Sequence, residues 1–221
     1  MPSSDHRPLI RVLQQHLSGR GEPGLAKAIV ITGTPGTGKS TIAWLLAERL
    51  GAEVVELGEL AVREGFCSGL DEERSTLIVD TDLLAQRLSE LLTARPGGEL
   101  LVVVGHYAQH VVPREHLVMA FVLRRHPLEL RRVLEARGYR GRKLHENLLA
   151  EVLDVCLVEA VQAYGPELVY ELDTTGRGPE EVVEELLAAL RAREGRVGVV
   201  DWLGQLEREG ILEEVIEVGG G

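Results

Sequence analysis

Gly33-Thr34-Pro35-Gly36-Thr37-Gly38-Lys39-Ser40 follows the spacing G-x-x-x-x-G-K-[ST], and the residues on both sides agree with it. Before it, Ala28-Ile29-Val30-Ile31-Thr32 is a β-branched apolar run of strand character. After it, from Thr41 to Leu50, Ile42, Leu45, Leu46 and Leu50 recur with helical period, and Gly51 supplies a stop signal. A strand, a glycine turn and a helix start in that order make a cradle for phosphate. Glycines at 33, 36 and 38 let the backbone curl with its N–H groups inward, and the helix N-terminus adds about half a positive charge. In this pattern Lys39 reaches the β- and γ-phosphates and the Ser40 hydroxyl is a Mg²⁺ ligand. The stretch predicts a chain that binds a nucleoside triphosphate.

The rest of the composition narrows the class. A chain of 221 residues suits one compact α/β domain with attachments. Its formal charge of −11 argues against a general nucleic-acid binder, because a phosphate backbone needs a basic face. The charge fits a basic protein partner, although an acidic soluble surface is the commoner cause. Cys67 and Cys156 lie far apart without metal-type spacing and read as buried thiols in a reducing compartment. No apolar run approaches about 20 residues, and Met1-Pro2-Ser3-Ser4-Asp5 does not read as a signal peptide. A cytoplasmic protein without a membrane partner is expected.

Strand and helix signals alternate from the loop onward. Strands are expected at 53–57, 99–104, 117–123 and 168–172, and helices at 82–93, 127–136, 146–163 and 179–193. Residues 58–76 read as a helical and loop insert, and 137–143 as a loop. This alternation predicts a three-layer α/β/α fold of the P-loop NTPase type with a five-stranded parallel sheet. Residues 1–26, with an amphipathic stretch at 9–17, read as an N-terminal extension, 27–194 as the core domain, and 195–221 as a C-terminal extension.

Two further features bear on chemistry. A guanine-reading N-K-x-D segment is absent, which disfavours a switch GTPase. Arginines gather at 124, 125, 131, 132, 137, 140 and 142, with Lys143 beside them. Phosphoryl transfer needs cations around oxygens that carry charge in the transition state, preferably on a loop that closes and excludes water. Arg137-Gly138-Tyr139-Arg140-Gly141-Arg142-Lys143 is short, cationic and hinged by glycine, as such a lid should be. Arg131 and Arg132 read as a solvated helix face. Arg124, at a strand end, and Arg137, at the start of the loop, are expected to serve the site.

From Ile29 to about Leu190 the chain resembles the adenylate kinase family of archaea and eukaryotic nuclei. The residues carrying the likeness are Ile31 to Thr41, Gly58-Glu59-Leu60, Gly69-Leu70-Asp71-Glu72-Glu73 and Asp80-Thr81-Asp82. Pro113, Phe121-Val122-Leu123-Arg124, Arg137-Gly138-Tyr139, Lys143-Leu144 and Asn147 continue it in order. The resemblance implies an ATP-dependent nucleoside monophosphate kinase, chiefly ATP + AMP to two ADP, with Mg²⁺ and a modest ATPase side activity. It also implies a role in small ribosomal subunit maturation. Carried over, Gly33, Thr34, Pro35, Gly36, Thr37, Gly38, Lys39, Ser40 and Thr41 hold the ATP phosphates, with Lys39 on the migrating phosphoryl group. Residues 58–82 form the monophosphate-binding part, where Gly58, Glu59, Leu60 and Asp80 line the acceptor and Arg63 is the nearest arginine for its phosphate. Residues 137–147 form the lid, with Arg124, Arg137 and Lys143 at the phosphates, and Thr174 meets the adenine.

One departure stands out. After the third strand the family usually carries Asp-x-His, and here that place reads Gly105-His106-Tyr107. Mg²⁺ is then left to Ser40, phosphate oxygens and waters. His106 is a candidate for the acceptor side, against the commoner reading of a lone histidine as structural. The rival reading is an ATP-switched assembly factor for the small ribosomal subunit, bound to a basic ribosomal protein.

Overall fold

The structure is a computed structural model that describes residues 26–71, 76–95 and 99–216. The amphipathic stretch at 9–17 and the acidic pair Glu72-Glu73 lie outside them. Along the chain run β1 (Lys27–Thr32), α1 (Lys39–Leu50), β2 (Glu53–Glu56) and α2 (Leu57–Glu64). An antiparallel hairpin of β3 (Cys67–Asp71) and β4 (Thr76–Val79) follows, then α3 (Thr81–Thr93) and β5 (Leu100–Val104). The remainder is β6 (Leu117–Arg124), α4 (Pro127–Ala136), α5 (Gly141–Val152), α6 (Val155–Tyr164), β7 (Val169–Asp173), α7 (Pro179–Ala192), α8 (Trp202–Glu209) and α9 (Leu212–Ile216).

The five-stranded sheet has the order β2-β5-β1-β6-β7, with every pairing parallel. β1, β5, β6 and β7 are buried on both faces, as helical crossovers require, while the edge strand β2 is buried only at Val55. Alternation along each strand sorts the side chains into two apolar layers. Ile29, Ile31, Val104, Phe121 and Leu123 pack with Ile42 and Leu46 of α1 and Leu186 and Leu190 of α7. Val30, Leu101, Val103, Ala120 and Val122 pack with Leu60 of α2, Leu84 and Leu88 of α3, and Leu157 and Ala160 of α6. Each such fully buried aliphatic side chain contributes about 1.5–3 kcal/mol, so the helices owe their stability mainly to these faces. Since β1 lies between β5 and β6, the chain order reverses beside it, and ligands bind outside the strand ends at such a reversal.

Four local features differ from the sequence reading. The insert after α2 carries the β3–β4 hairpin instead of loop alone. The basic loop is shorter than expected, because α5 already begins at Gly141. The expected helix over 146–163 is broken at Asp154, whose left-handed φ of 57° separates α5 from α6. The C-terminal segment is part of the fold: Val215 and Leu206 pack on Val152, and Arg196 forms a parallel bridge to Tyr170 beside β7. Of the two cysteines, Cys156 is buried and Cys67 only partly so, and both are free thiols.

Candidate active site

The phosphate loop leaves β1 with Gly33 at φ 132°, where an added Cβ would stand 2.3 Å from the Leu123 carbonyl oxygen. Only glycine lets the turn pass that close to β6. Gly38 caps α1 without a side-chain hydrogen bond, so the helix N-terminus keeps its N–H groups for an anion. The Lys39 ammonium folds over the loop and donates to the carbonyls of Gly33 (2.7 Å) and Thr34 (2.9 Å). Burial lowers its pKa to about 8, and nearby Arg137 pushes the same way, against Cys156, Glu151 and Glu56.

Two cavities flank this loop. One, of about 300 Å³, is lined by Lys39, Ser40, Glu56, Gly58, His106, Tyr107 and Tyr139, among others. The other, of about 310 Å³, lies on the far side against Thr37, Arg125, Val133, Thr174, Arg177 and Val182. Gly36, Gly38, Thr41 and Arg137 border both. The two chambers therefore meet at the phosphate loop, with one guanidinium at the junction. Arg137 is exposed, and among the described residues its side chain makes no hydrogen bond or ion pair.

The other arginine expected at the phosphates is elsewhere. Ala120, Val122 and Arg124 share one face of β6, and that face is covered by α5 and α6. Arg124 is 1% exposed, and its guanidinium meets Glu151 (2.9 Å), Glu171 (2.6 Å) and Asp154. Burial alone would lower its pKa, but the Glu151 and Asp154 carboxylates outweigh this and raise it. Every nitrogen of its guanidinium is held by a carboxylate or the Glu151 carbonyl, and Arg124 borders neither cavity. The next residue, Arg125, reaches the loop instead, 3.4 Å from the Gly36 carbonyl.

The remaining expected residues divide in two. Pro35, Gly36, Gly38, Lys39, Ser40, Thr41, Gly58, His106 and Arg137 line the first cavity, and Thr37 and Thr174 the second. Thr174 donates to the Arg124 carbonyl (2.8 Å) and sits 3.4 Å from that of Thr37, so it is wall as much as contact. Thr34 points its hydroxyl away from the cavities, to Glu151. Lys143 lies over the Tyr139 ring (4.6 Å), and it is Tyr139, not Lys143, that lines the first cavity. Glu59 is exposed and outside the cavity, Leu60 is 2% exposed in the core, and Arg63 pairs loosely with Glu64 (3.6 Å). Asp80 caps α3, accepting from the amides of Asp82 and Leu83. None of these four borders the cavity, so the helical start of the insert contributes Gly58 alone.

His106 is solvent-exposed and borders the first cavity, with the Tyr107 ring edge-on against it at 4.5 Å between centres. Loss of hydration, then the Lys39 charge, lowers its pKa to about 4, so the ring is neutral at physiological pH. Sequence reasoning missed Glu56 and Arg177, and it named Arg125 in the arginine cluster and Tyr139 in the basic loop without giving either a place in the site. Arg125 was within reach of strand parity, because neighbouring residues at a strand end face opposite ways.

A glycine loop between β1 and α1, at the order reversal of a parallel sheet, defines a P-loop nucleotide-binding protein. The AAA domain family matches residues 29–154. A "Putative adenylate kinase" from Thermococcus onnurineus is 41% identical over 181 residues, 81% of this chain and 93% of its own length. One so named from Methanothermobacter thermautotrophicus is 44% identical over 179 residues, 80% of this chain and 98% of its own length. Among solved structures, shikimate kinase from Acinetobacter baumannii superposes with a TM-score of 0.55 at 17% identity, over 76% of this chain and 94% of that one. That likeness carries the fold alone. The chain belongs to the archaeal adenylate kinase-like family.

Proposed function

We propose that the protein transfers the γ-phosphoryl group of Mg-ATP to a nucleoside monophosphate, with AMP as the leading acceptor and dAMP and CMP as further ones. The observation that carries this reading is the pair of cavities meeting at the phosphate loop, with Arg137 at their junction. Two nucleotides placed end to end would bring their phosphates together there. The cavity walled by Thr37, Thr174 and Val182 suits the ATP nucleoside, and the one beside Gly58, His106 and Tyr139 suits the acceptor.

Transfer of this kind rests on alignment and on cations around the moving group, without a covalent intermediate. Lys39 lies in the loop and Arg137 over it, so both charges converge where negative charge spreads in the transition state. Ser40 offers a hydroxyl and Glu56 a carboxylate at the cavity rim, and such oxygen donors suit Mg²⁺, which takes most of its shell from phosphates and water. Held by Ser40 and Glu56, Mg²⁺ would supply positive charge that offsets the charge of the phosphates. Neutral His106 adds a hydrogen-bonding group without a cation, and water reaching the loop in place of an acceptor gives a weak ATPase. The test is product analysis by ion-exchange chromatography with ATP, Mg²⁺ and each monophosphate in turn. ADP should accumulate with AMP far faster than without it; equal rates with and without acceptor would remove the kinase reading.

A further inference from the structure

At the end of β5, where the family's usual pattern has a carboxylate, an added Cβ on Gly105 would stand 3.0 Å from Leu57 Cδ1 and 3.2 Å from Leu57 Cβ. Leu57 is 0% exposed within the main core, so any side chain at 105 would force it to move. A side chain at 105 would be tight there and would need Leu57 to give by a few tenths of an ångström.

One residue before Leu57 stands Glu56, the last residue of the neighbouring strand, in register with Val104. Its carboxylate faces the same cavity as Lys39 and Gly105. One oxygen accepts from the Ser40 hydroxyl at 3.1 Å, and the other accepts from the Trp44 indole N–H at 3.2 Å. Among the described residues Glu56 makes no ion pair. A bare carboxylate facing a triphosphate site repels its ligand. With a divalent cation between the two, the same carboxylate becomes an attraction.

We infer that Glu56 is the carboxylate that, with the Ser40 hydroxyl, holds the nucleotide's Mg²⁺, taking from the end of β2 the place that Gly105 leaves empty at the end of β5. The inference rests on the proposed binding of a metal–nucleotide at the loop. It goes beyond that reading in naming the residue that makes binding depend on the metal.

Glu56→Gln is nearly isosteric and keeps hydrogen-bonding atoms for Ser40 and Trp44, so a change it causes reports the charge. Nucleotide affinity is measured by calorimetry with ADP and ATP, in EDTA and in Mg²⁺, for the parent and the variant. Bound Mn²⁺ is counted by electron paramagnetic resonance in parallel. The quantity read is the ratio of dissociation constants without and with metal. Glu56→Gln should lower that ratio and the Mn²⁺ affinity by about 10–100-fold. In EDTA the variant should bind nucleotide at least as tightly as the parent, because a repulsive charge is gone. Glu56→Asp, which keeps the charge on a shorter arm, should recover part of the ratio. An unchanged ratio and unchanged Mn²⁺ affinity in Glu56→Gln would overturn the assignment while leaving nucleotide binding intact. A parent protein that binds no nucleotide would instead overturn the loop reading, and this inference with it.

Discussion

Thr34 in the phosphate loop and Glu151 near the end of α5 share a 2.5 Å hydrogen bond across 117 residues of sequence. The other oxygen of Glu151 takes Arg124 Nε (2.9 Å), the Arg125 amide (3.0 Å) and Trp202 Nε1 (3.1 Å). One buried carboxylate of α5 therefore ties the loop to the end of β6 and to the C-terminal segment. The donors satisfy its lone pairs, which is what makes a buried charge tolerable.

Removing one member should expose that dependence. Glu151→Ala leaves Arg124 short of a partner and frees Thr34, and breaking a buried pair costs about 3–5 kcal/mol. Urea unfolding at 25 °C checks this. A loss below about 1 kcal/mol would mean that the network is not what fixes the loop.

The two arginines first assigned to the phosphates should separate cleanly. Arg137→Ala removes an exposed cation that has no ion-pair partner among the described residues, so the unfolding midpoint should stay within the range of neutral surface changes while kcat falls by about 10²–10³-fold. Arg124→Ala leaves Glu151 and Glu171 buried without their guanidinium and should act chiefly on stability. Denaturation and steady-state kinetics on both variants decide it. A stable Arg124→Ala protein with kcat reduced alone would return Arg124 to the phosphates.

Lys39 sets the expected pH dependence. Its pKa of about 8 means that the ammonium loses its charge as pH rises through that value, so affinity for ATP in the free protein should weaken between pH 7 and 9. Lys39→Met carries no titrating charge there and should bind weakly with a flat profile. His106, held near 4, should add no inflection around pH 6.5. Fluorescent-nucleotide titration over pH 5.5–9.5 reads both, and a parent profile that stays level across pH 8 contradicts the Lys39 assignment.

The C-terminal segment should matter to the fold. Trp202 is 5% exposed, meets Glu151 and stacks edge-on with His126 at 5.2 Å between ring centres. Trp202→Ala should cost about 3–5 kcal/mol by opening a cavity, and Trp202→Phe less, losing mainly the indole hydrogen bond. Thermal unfolding of both variants measures the difference. Equal melting temperatures for Trp202→Ala and the parent would place the segment outside the cooperative unit.

The parts of the molecule legible in sequence were those whose cause is local. The loop's glycines and lysine declare a strand–turn–helix, and the apolar runs at 100–104 and 117–123 can only be buried strands. Cys67-Ser68-Gly69-Leu70-Asp71 has neither apolar alternation nor β-branched residues, so the first strand of the hairpin left no signal, although its partner Thr76-Leu77-Ile78-Val79 is mostly β-branched. Asp154 breaks a helix without glycine or proline, because aspartate tolerates the left-handed conformation. In the site, Arg124 was misread because a single step along β6 decides which layer a side chain enters. Glu56 was missed because its place beside the loop comes from Ser40, 16 residues earlier, and from the register of β2 on β5. Such relationships exist only once the sheet is assembled.

The most direct test of the central claim, transfer between two nucleotides meeting at Arg137, is to follow the label of γ-³²P-ATP with unlabelled AMP and Mg²⁺. Label appearing in the β-phosphate of ADP formed from AMP, and lost in Arg137→Ala, is the predicted result. Label released as inorganic phosphate at the same rate with or without AMP would contradict it.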